Sequence, residues 1–444
     1  MAYMMLKELY HRTPTRARQV VEAELESRRQ SAATFHWDYS VGEDPIFVVP
    51  INSLLVGMED IWRREIRIGG LWGKLPPAAL HHYYFELLTD ELKSTNEIES
   101  IYSTRREVAD AIELAQGKTG IGSQEGKPLP ADGHHRRFKE MAQQYMALPG
   151  LELPGFRTHV ESDRTLRFPS DTVELRTMYD QLLGKEIAEQ DLPDGMLFRT
   201  GPVAITDGVR DIHSGVSGEA NIEARLGTMI SSALYGSESF ELLSVFVEHF
   251  MFEHTHPFYD GNGRMGRFLM CMRLAEVVSI HSALSFSPEL FRQKKRYYSA
   301  FETAEHPLNR GDLTMFAVDM LSMFRSAQER LEDSLVHRLE QLEALQNNIQ
   351  RMIDSQPKDS LSQEALNILY VLGQKSLFGT RTGLSLDDLA HFLSCTKYKA
   401  RQALTELEAQ DLVEQLKRRP IVVCLGDKAL ERLGIHRDSY RSDE

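Results

Sequence analysis

The sequence predicts a mainly α-helical protein with a short β-hairpin near its middle and a winged helix-turn-helix at its C-terminal end. Residues 78–116 contain neither proline nor glycine, and their apolar residues recur at helical spacing. Glycines and prolines instead punctuate residues 194–218, which favours a hairpin. Beyond position 357, three short helical patterns precede two strands that flank the basic tip Lys417-Arg418-Arg419.

Composition limits the classes of protein that this chain can belong to. A length of 444 residues exceeds one typical core and predicts two or three domains. The net charge of −14 argues against a surface built throughout for nucleic acid, so DNA binding would need a local basic patch. The sequence has no signal-peptide pattern and no apolar run near the ~20 residues that span a bilayer, so we expect no membrane partner. The widely separated Cys271, Cys395 and Cys424 favour a reducing cytoplasm over a disulfide framework.

Four units are expected along the chain. They are an N-terminal helical region over 1–133, a helical core over 134–330, a connecting helix over 331–356 and the C-terminal winged helix-turn-helix over 357–444. Within the first unit, Ser94 and Glu97 have the spacing of a capping box. They predict that a separate helix starts there and runs to Gln116, with Glu99 in its first turns. Further helices are expected over 220–235, 240–253, 264–280, 288–305 and 313–324.

The connecting helix carries a seam of apolar residues close to a heptad repeat. Such a seam can pair with a second subunit, which would make the protein a homodimer, or it can pack on its own chain. Its members are Leu331, Leu335, Leu339, Leu342, Leu345, Ile349 and Met352.

One loop between two expected helices has the residues of an anion-binding site. Gly261 and Gly263 let the backbone approach a ligand closely, and the N–H groups at a helix start favour negative charge. Arg264 and Arg267 lie three residues apart, so both project from the first turn of the next helix. Because arginine grips phosphate through a planar fork, the loop suits a polyphosphate.

Two neighbours add a base and a metal ligand to this loop. His256 precedes the anion site, and a histidine pKa near ~6.5 suits proton removal from an attacking hydroxyl. Asp260 offers a hard oxygen ligand, and Mg²⁺ is commonly held by one or two carboxylates together with substrate phosphates. Base, metal ligand and phosphate cradle therefore lie within twelve residues.

The segment from His256 to Arg267 resembles the signature of the Fic family, His-x-Phe-x-Asp/Glu-Gly-Asn-Gly-Arg-x-x-Arg, at every fixed position. A looser resemblance covers residues 198–321. It implies a Fic helical core with a β-hairpin flap over 203–215 that aligns the target segment. It also implies Mg²⁺-dependent transfer of AMP from ATP to Ser, Thr or Tyr hydroxyls of proteins, including the chain itself.

The resemblance assigns roles to the matching residues. His256 would be the general base, and Asp260 would hold Mg²⁺ between the α- and β-phosphates. Phe258 is expected to anchor the loop in the core. The remaining assignments concern phosphate: Asn262 with the amides around Gly261 and Gly263 would bind the α-phosphate, and Arg264 and Arg267 would bind the outer phosphates.

A second motif resembles the inhibitory Ser/Thr-x-x-x-Glu-Gly/Asn of class II Fic proteins. Thr95 and Glu99 match it, whereas Ser100 stands where the family has Gly or Asn. The carboxylate of Glu99 would then neutralise Arg267 and exclude a productive pose of ATP.

Other interpretations stay open at this point. The same site could remove AMP or use another nucleotide-like donor, and a rival class is a nucleotide-sensing DNA-binding regulator. An intact His256 favours the enzyme, because a sensor needs no base.

The C-terminal unit could bind DNA or protein, since residues 396–419 hold six basic and four acidic residues. Tyr297 and Tyr298 are expected in core and surface positions, with adenine contact as the alternative. His249, Glu253, His254 and His256 do not place three zinc ligands on one helix face.

Overall fold

The computed structural model describes residues 3–116, 138–151, 166–206, 211–236, 240–355, 361–379 and 383–435. Helices dominate these ranges, which confirms the mainly α-helical prediction. The helices are α1 (Leu6–Arg12), α2 (Ala17–Gln30), α3 (Asn52–Trp72), α4 (Pro77–Ile98), α5 (Arg105–Ala115), α6 (Lys139–Met146), α7 (Thr172–Leu183), α8 (Glu219–Tyr235), α9 (Glu241–Thr255), α10 (Asn262–Val277), α11 (Ile280–Leu284), α12 (Phe286–Arg292), α13 (Lys294–Glu305), α14 (Thr314–Ser355), α15 (Gln363–Phe378), α16 (Leu386–Phe392), α17 (Lys397–Glu408) and α18 (Asp427–Leu433). The strands are β1 (Phe35–Val41), β2 (Asp44–Val48), β3 (Ala204–Thr206), β4 (Asp211–Ser214), β5 (Leu384–Ser385), β6 (Val413–Arg418) and β7 (Ile421–Leu425).

Helices α9 and α10 form the centre of the protein. Every residue of α9 from Leu242 to Phe252 is buried, and so are most residues of α10. A helix that is buried on all faces needs apolar residues around its whole circumference, which explains the weak amphipathic pattern of α9. The loop that joins these helices is therefore held between two fixed supports.

The predicted capping box at Ser94 and Glu97 is wrong. Helix α4 continues through these residues to Ile98, and Asn96 is buried with its Nδ2 donating to the carbonyl of Leu92 inside the helix. The true capping box lies at Thr104 and Glu107, which begin α5. Tertiary packing thus keeps the polar residues Ser94, Thr95 and Asn96 inside α4. Glu99 is the C-cap of this helix and not part of the first turn of a new one.

The helices expected over 313–324 and 331–356 are one continuous helix of 42 residues, α14. Helix α14 as a whole packs against α3, α15 and α18 of the same chain, and the seam residues other than Leu339 are buried. Leu335 and Leu345 are fully buried there, and a Cβ on Gly373 of α15 would come within 2.6 Å of Leu345 Cδ2. The glycine permits this close approach of α14 and α15, so the seam is accounted for by packing within one chain.

The N-terminal region is not purely helical, because β1 and β2 form an antiparallel hairpin there. Trp37 and Tyr39 point inward while His36 and Asp38 point to solvent, and this alternation was the missed signal. The hairpin supports the centre of the fold. Tyr39 Oη donates to the carbonyl of Met251 at 3.1 Å, next to the C-terminal end of α9.

The predicted central hairpin corresponds to β3 and β4, which pair antiparallel, whereas residues 207–210 of this segment lie outside the described residues. In the C-terminal unit the three expected helices are α15, α16 and α17. The two expected strands are β6 and β7, and the short β5 adds a third strand, in the order β5-β7-β6. None of the helices in the described ranges has both the length and the hydropathy to cross a membrane.

The C-terminal unit packs directly on α4. Gln374 Oε1 accepts a hydrogen bond from the backbone N–H of Ala79 at 3.0 Å, and both residues are buried. Arg338 of α14 bridges the two elements, donating to Glu86 of α4 at 2.7 Å and to the carbonyl of Leu377 of α15 at 3.0 Å. One hydrophobic cluster includes residues from all four units expected from the sequence.

We expect Gln374→Ala to lower the free energy of unfolding by about 1–3 kcal/mol, because the buried N–H of Ala79 would lose its acceptor. Urea unfolding of the full chain measures this loss. The control is Gln363→Ala on the same helix, whose exposed amide donates to Asn367, the next turn along. It should change stability by no more than about 0.5 kcal/mol. Equal midpoints for the two variants would contradict the proposed importance of the Gln374 contact.

Candidate active site

His256 lies where α9 ends. It is the C-cap of that helix and adopts the left-handed conformation with φ 51°, an uncommon one for a residue with a side chain. The backbone around it is fixed by Arg199, whose side chain is fully buried. Arg199 Nε donates to the carbonyl of His256 at 2.8 Å, and its Nη groups donate to the carbonyls of Gly201 and Val216. The position of the candidate base is thus set by a residue that sequence reasoning missed.

The loop after His256 is anchored in the core by Phe258, as predicted. Its ring is fully buried and stacks on that of Tyr179, with centroids 3.6 Å apart. The side chain of Asn262 closes the loop. Its Oδ1 accepts from the N–H of Phe258 at 2.9 Å and its Nδ2 donates to the carbonyl of Phe258 at 2.8 Å. Because the amide is engaged in this way, a phosphate contact at Asn262 would fall to its backbone N–H.

Asp260 and Gly261 form the turn that starts α10. Gly261 has φ 83°, which favours glycine, and a Cβ there would also meet Leu183 at 2.8 Å. The N–H of Gly261 donates to Asp260 Oδ1 at 2.6 Å, and Tyr179 Oη donates to the carbonyl of Asp260. The carboxylate of Asp260 is half exposed. A hard oxygen donor that faces solvent beside an anion-binding helix start fits a Mg²⁺ ion held jointly with phosphates.

Arg264 is almost fully buried and lies against two carboxylates. Its Nη1 is 3.2 Å from Glu186 Oε2, and its Nη2 is 3.5 Å from Asp260 Oδ2. Glu186 was not recognised as a site residue in the sequence, because it lies 78 positions before its partner. The two carboxylates orient the guanidinium at the first turn of α10.

Arg267 meets the predicted inhibitory residue. Its side chain is 1% exposed, and its Nη2 donates to Glu99 Oε1 at 2.7 Å. Thr95 supplies two further acceptors, since its Oγ1 takes a hydrogen bond from Arg267 Nε at 2.8 Å and its carbonyl one from Nη2 at 2.9 Å. A Cβ on Gly263 would lie 2.0 Å from Glu99 Oε1. The carboxylate therefore covers the glycine backbone where the sequence places the phosphate cradle.

The charge of Arg267 depends mainly on Glu99. Burial disfavours the charged guanidinium, but the acidic groups around it, of which Glu99 contributes most, together outweigh burial and raise the pKa of Arg267. Burial raises the pKa of Glu253 to about 8 despite the proximity of Arg267. Burial also lowers the pKa of His249 to about 3, assisted by Arg267. Near pH 7 the Glu253 carboxyl is thus mainly protonated and His249 is neutral, and the acidic side chain in direct contact with Arg267 is that of Glu99.

Ser100 follows Glu99 with φ 60°. This left-handed conformation suits Gly and Asn, the two residues that the inhibitory motif carries at this position. Serine adopts the same backbone here, so the departure from the motif leaves the Glu99–Arg267 contact in place. The N–H groups of Ser100 and Ile101 bond to the carbonyls of Glu97 and Asn96 and close the end of α4.

Helix α13 also holds the end of α4. Tyr298 Oη donates to the carbonyl of Ile98 at 3.1 Å, and Lys294 Nζ lies 3.4 Å from the carbonyl of Glu97. Tyr297 is buried, and its hydroxyl lies 2.7 Å from His249 Nε2, whereas Tyr298 is 40% exposed. The core and surface positions expected for the two tyrosines are confirmed.

The predicted residues from His256 to Arg267 lie at the junction of α9 and α10, and Glu99 reaches Arg267 from the end of α4. The sequence matched Thr95 to the inhibitory motif but did not predict its hydrogen bonds to Arg267. Sequence reasoning missed the other residues that orient the site, which are Tyr179, Glu186 and Arg199. Among the described residues, no group of three His, Cys, Asp or Glu side chains could hold a metal ion.

Several solved structures are similar to this chain. A Fic family protein from Desulfovibrio desulfuricans G20 is 17% identical, with a TM-score of 0.47 over 85% of this chain and 97% of that one. A Fic domain containing signaling protein from Bacteroides thetaiotaomicron VPI-5482 is 13% identical, with a TM-score of 0.42 over 62% and 96%. Fic-1 from C. elegans is 18% identical, with a TM-score of 0.36 over 64% and 74%. No curated protein matches the sequence significantly.

The family model described as Fic/DOC family matches residues 169–274. This range begins before α7, contains the β3–β4 hairpin and ends within α10, so it includes the whole loop between His256 and Arg267. The chain therefore carries a Fic domain.

Proposed function

We propose that this protein transfers AMP from ATP to Ser, Thr or Tyr hydroxyls of proteins, itself included, with Mg²⁺ as cofactor and Glu99 as a restraint. Fic family proteins are typically transferases that act on proteins. The observation that carries the proposal is the contact of Glu99 with Arg267 above Gly263. A carboxylate at this place would compete with an anionic ligand for the same guanidinium and the same backbone surface.

The transfer is a displacement at the α-phosphorus of ATP. The target hydroxyl oxygen forms a new bond to phosphorus, and the bond from phosphorus to the bridging oxygen breaks, so that pyrophosphate leaves with the electron pair. His256 takes the proton of the hydroxyl as this bond forms. Arg199 fixes the backbone at His256, and this backbone determines where the imidazole can meet the target hydroxyl.

The nucleotide would be held by the start of α10. The N–H groups around Gly261 and Gly263 favour the α-phosphate, and Arg264 and Arg267 favour the outer phosphates. When bound, Mg²⁺ at Asp260 would neutralise charge on the phosphates. The carboxyl of Glu186 keeps Arg264 oriented, and Thr95 keeps Arg267 oriented when Glu99 leaves.

The restraint follows from the geometry of Arg267. With Glu99 in place, the γ-phosphate meets a carboxylate instead of a free guanidinium donor. ATP would then bind with its α-phosphate misaligned for in-line attack, so that the rate suffers more than the affinity. Ser100 and the contacts from α13 keep the end of α4, and hence Glu99, in this position.

Two other functions were considered for the same loop. An enzyme that removes AMP from modified proteins would use the same residues, and a DNA-binding regulator would only sense nucleotide there. The transferase is favoured because the backbone at His256 is fixed by a fully buried arginine, and a sensor has no need of a positioned base.

The three cysteines, which form no disulfide, fit the cytoplasmic location that we propose.

Intact-mass analysis of the protein after incubation with Mg²⁺-ATP tests the proposal. We expect the mass of one or more AMP groups on the chain. An added phosphate would indicate a kinase instead. If the mass stays unchanged even for Glu99→Gly, and a panel of candidate proteins also stays unlabelled, the transferase proposal is wrong.

His256→Ala should abolish AMP transfer and leave ATP affinity within about twofold, because it removes the proton acceptor but not the phosphate cradle. Labelling with ATP carrying an α-phosphate label measures transfer, and calorimetry measures affinity. The control is His337→Ala, which removes an exposed histidine of α14, and this variant should label like the wild type. Wild-type labelling by His256→Ala would remove this residue from the mechanism.

Glu99→Gly should raise autolabelling by at least ~10-fold, equivalent to ~1.4 kcal/mol in the barrier, because it frees Arg267 for the γ-phosphate. Arg267→Ala should abolish labelling with or without Glu99→Gly. The control is Glu97→Gln, which removes the charge that pairs with Lys93 but keeps a helix-forming side chain in the last turn of α4, and it should leave labelling unchanged. A Glu99→Gly protein that labels no faster than wild type at saturating Mg²⁺-ATP would end the inhibitory assignment.

Ser100→Gly should stabilise the protein by about 0.5–1 kcal/mol, because glycine adopts the left-handed backbone at lower cost. Autolabelling should not increase, since the end of α4 would hold Glu99 at least as firmly. Ser100→Ala retains the strained backbone and should show no gain in stability. Urea unfolding midpoints separate these variants, and an equal rise for Gly and Ala would refute the backbone explanation.

A further inference from the structure

The exposed face of α17 carries polar and charged side chains in one stripe. Lys397, Tyr398, Arg401, Gln402 and Thr405 are all exposed, with spacings that place them on the same side of the helix. Tyr398 is 71% exposed, and its hydroxyl accepts a hydrogen bond from Gln402 Nε2 at 3.0 Å. The opposite face is buried against α15 and α16.

The turn between β6 and β7 adds a second group of cations. Arg418 and Arg419 are exposed there, and Lys417 is partly so. Among the residues that the structure describes, no carboxylate forms an ion pair with Arg401, Arg418 or Arg419. Arginines elsewhere are commonly paired, as Arg64 is with Glu332. Lys397 pairs with the exposed Asp387 at 2.7 Å, so the unpaired positive charge of this surface comes from Arg401, Arg418 and Arg419 in a chain whose net charge is −14.

The two groups belong to one compact arrangement. α16 leads through a turn containing Ser394, at φ 50°, into α17, and α17 is followed by the β6–β7 hairpin. The hairpin pairs with β5, which precedes α16. This is the order of elements in a winged helix-turn-helix, where the second helix of the pair is the exposed one.

We propose that the surface formed by α17 and the β6–β7 turn binds duplex DNA. An α-helix fits the major groove, and Arg401 and Gln402 are residue types that read guanine and adenine edges there through paired hydrogen bonds. The cations of the β6–β7 turn would contact phosphates of the backbone. DNA binding of this kind is independent of AMP transfer.

A protein partner fits this surface less well. Protein interfaces usually have an apolar centre, often rich in aromatic residues. The large apolar side chains exposed on α17 and β6 are Tyr398 and Leu416, and neither belongs to the hydrophobic clusters of the described residues. The positive charge instead complements phosphate, which dominates nonspecific affinity for DNA.

The test uses the full-length protein and a fluorescein-labelled 30-base-pair duplex with a randomised core, in the absence of ATP. Fluorescence anisotropy measures the dissociation constant at several salt concentrations. Neutralisation of four or five phosphates predicts a slope of about −4 for log affinity against log salt. Because no nucleotide is present, failure here leaves the transferase proposal untouched.

Arg401→Glu should weaken binding at least tenfold at fixed salt. The triple variant Lys417→Ala, Arg418→Ala and Arg419→Ala should do the same and lower the salt slope. Arg63→Glu is the matched control, because it makes the same charge change at an exposed arginine of α3, and it should change affinity by less than twofold. Circular dichroism confirms that each variant is folded, and the turn variant tests the surface even if Arg401→Glu fails to fold.

Two outcomes would overturn the proposal. One is absence of salt-dependent binding by the wild-type protein to the randomised duplex pool. The other is wild-type affinity in both the Arg401→Glu and the triple variant, which would place any binding surface elsewhere.

Discussion

The buried guanidinium of Arg267 is the constraint around which the candidate site is organised. A charge removed from water must be paired and hydrogen-bonded, or its burial is strongly unfavourable. Burial leaves the Glu253 carboxyl mainly protonated near pH 7, so compensation falls to Glu99 and Thr95. Both lie at the end of α4, and the stability of the core is thereby coupled to the presence of that helix end.

The conformation of the loop that begins at His256 depends on packing against distant residues as well as on hydrogen bonds within the loop. Two helices buried on nearly all sides fix its ends, and Phe258 fixes its middle by stacking on Tyr179. Arg199 then satisfies carbonyls that the end of α9 leaves open. A site held in this way would keep the proposed catalytic groups in position before any substrate arrives, which lowers the entropic cost of reaching a reactive geometry.

The sequence was sufficient wherever the chemistry lies in consecutive residues. The helix start, the glycines and the two arginines of the loop could be predicted, as could the helical core and the C-terminal elements. Residues that act across long separations could not, because spacing along the chain says nothing about which side chains meet. Arg199 and Glu186 belong to this group. The predicted end of α4 was also wrong. Ser94 and Glu97 have the residue types of a capping box, and the sequence alone does not show that the polar residues here are buried within a continuing helix.

The packing of α4 determines how Arg267 can be released. The helix has 22 residues and is about 33 Å long, and its buried residues extend from Ala78 to Ile98. Its first turn is fixed by Gln374, so withdrawal of the whole helix would expose a large part of the core. Thr95, Asn96 and Ile98 in the last turn are also buried, so the residue that can move at small cost is the C-cap Glu99, whose side chain is partly exposed. In the proposed restraint, release of Arg267 would then be a local rearrangement at the end of α4 and not the movement of a domain.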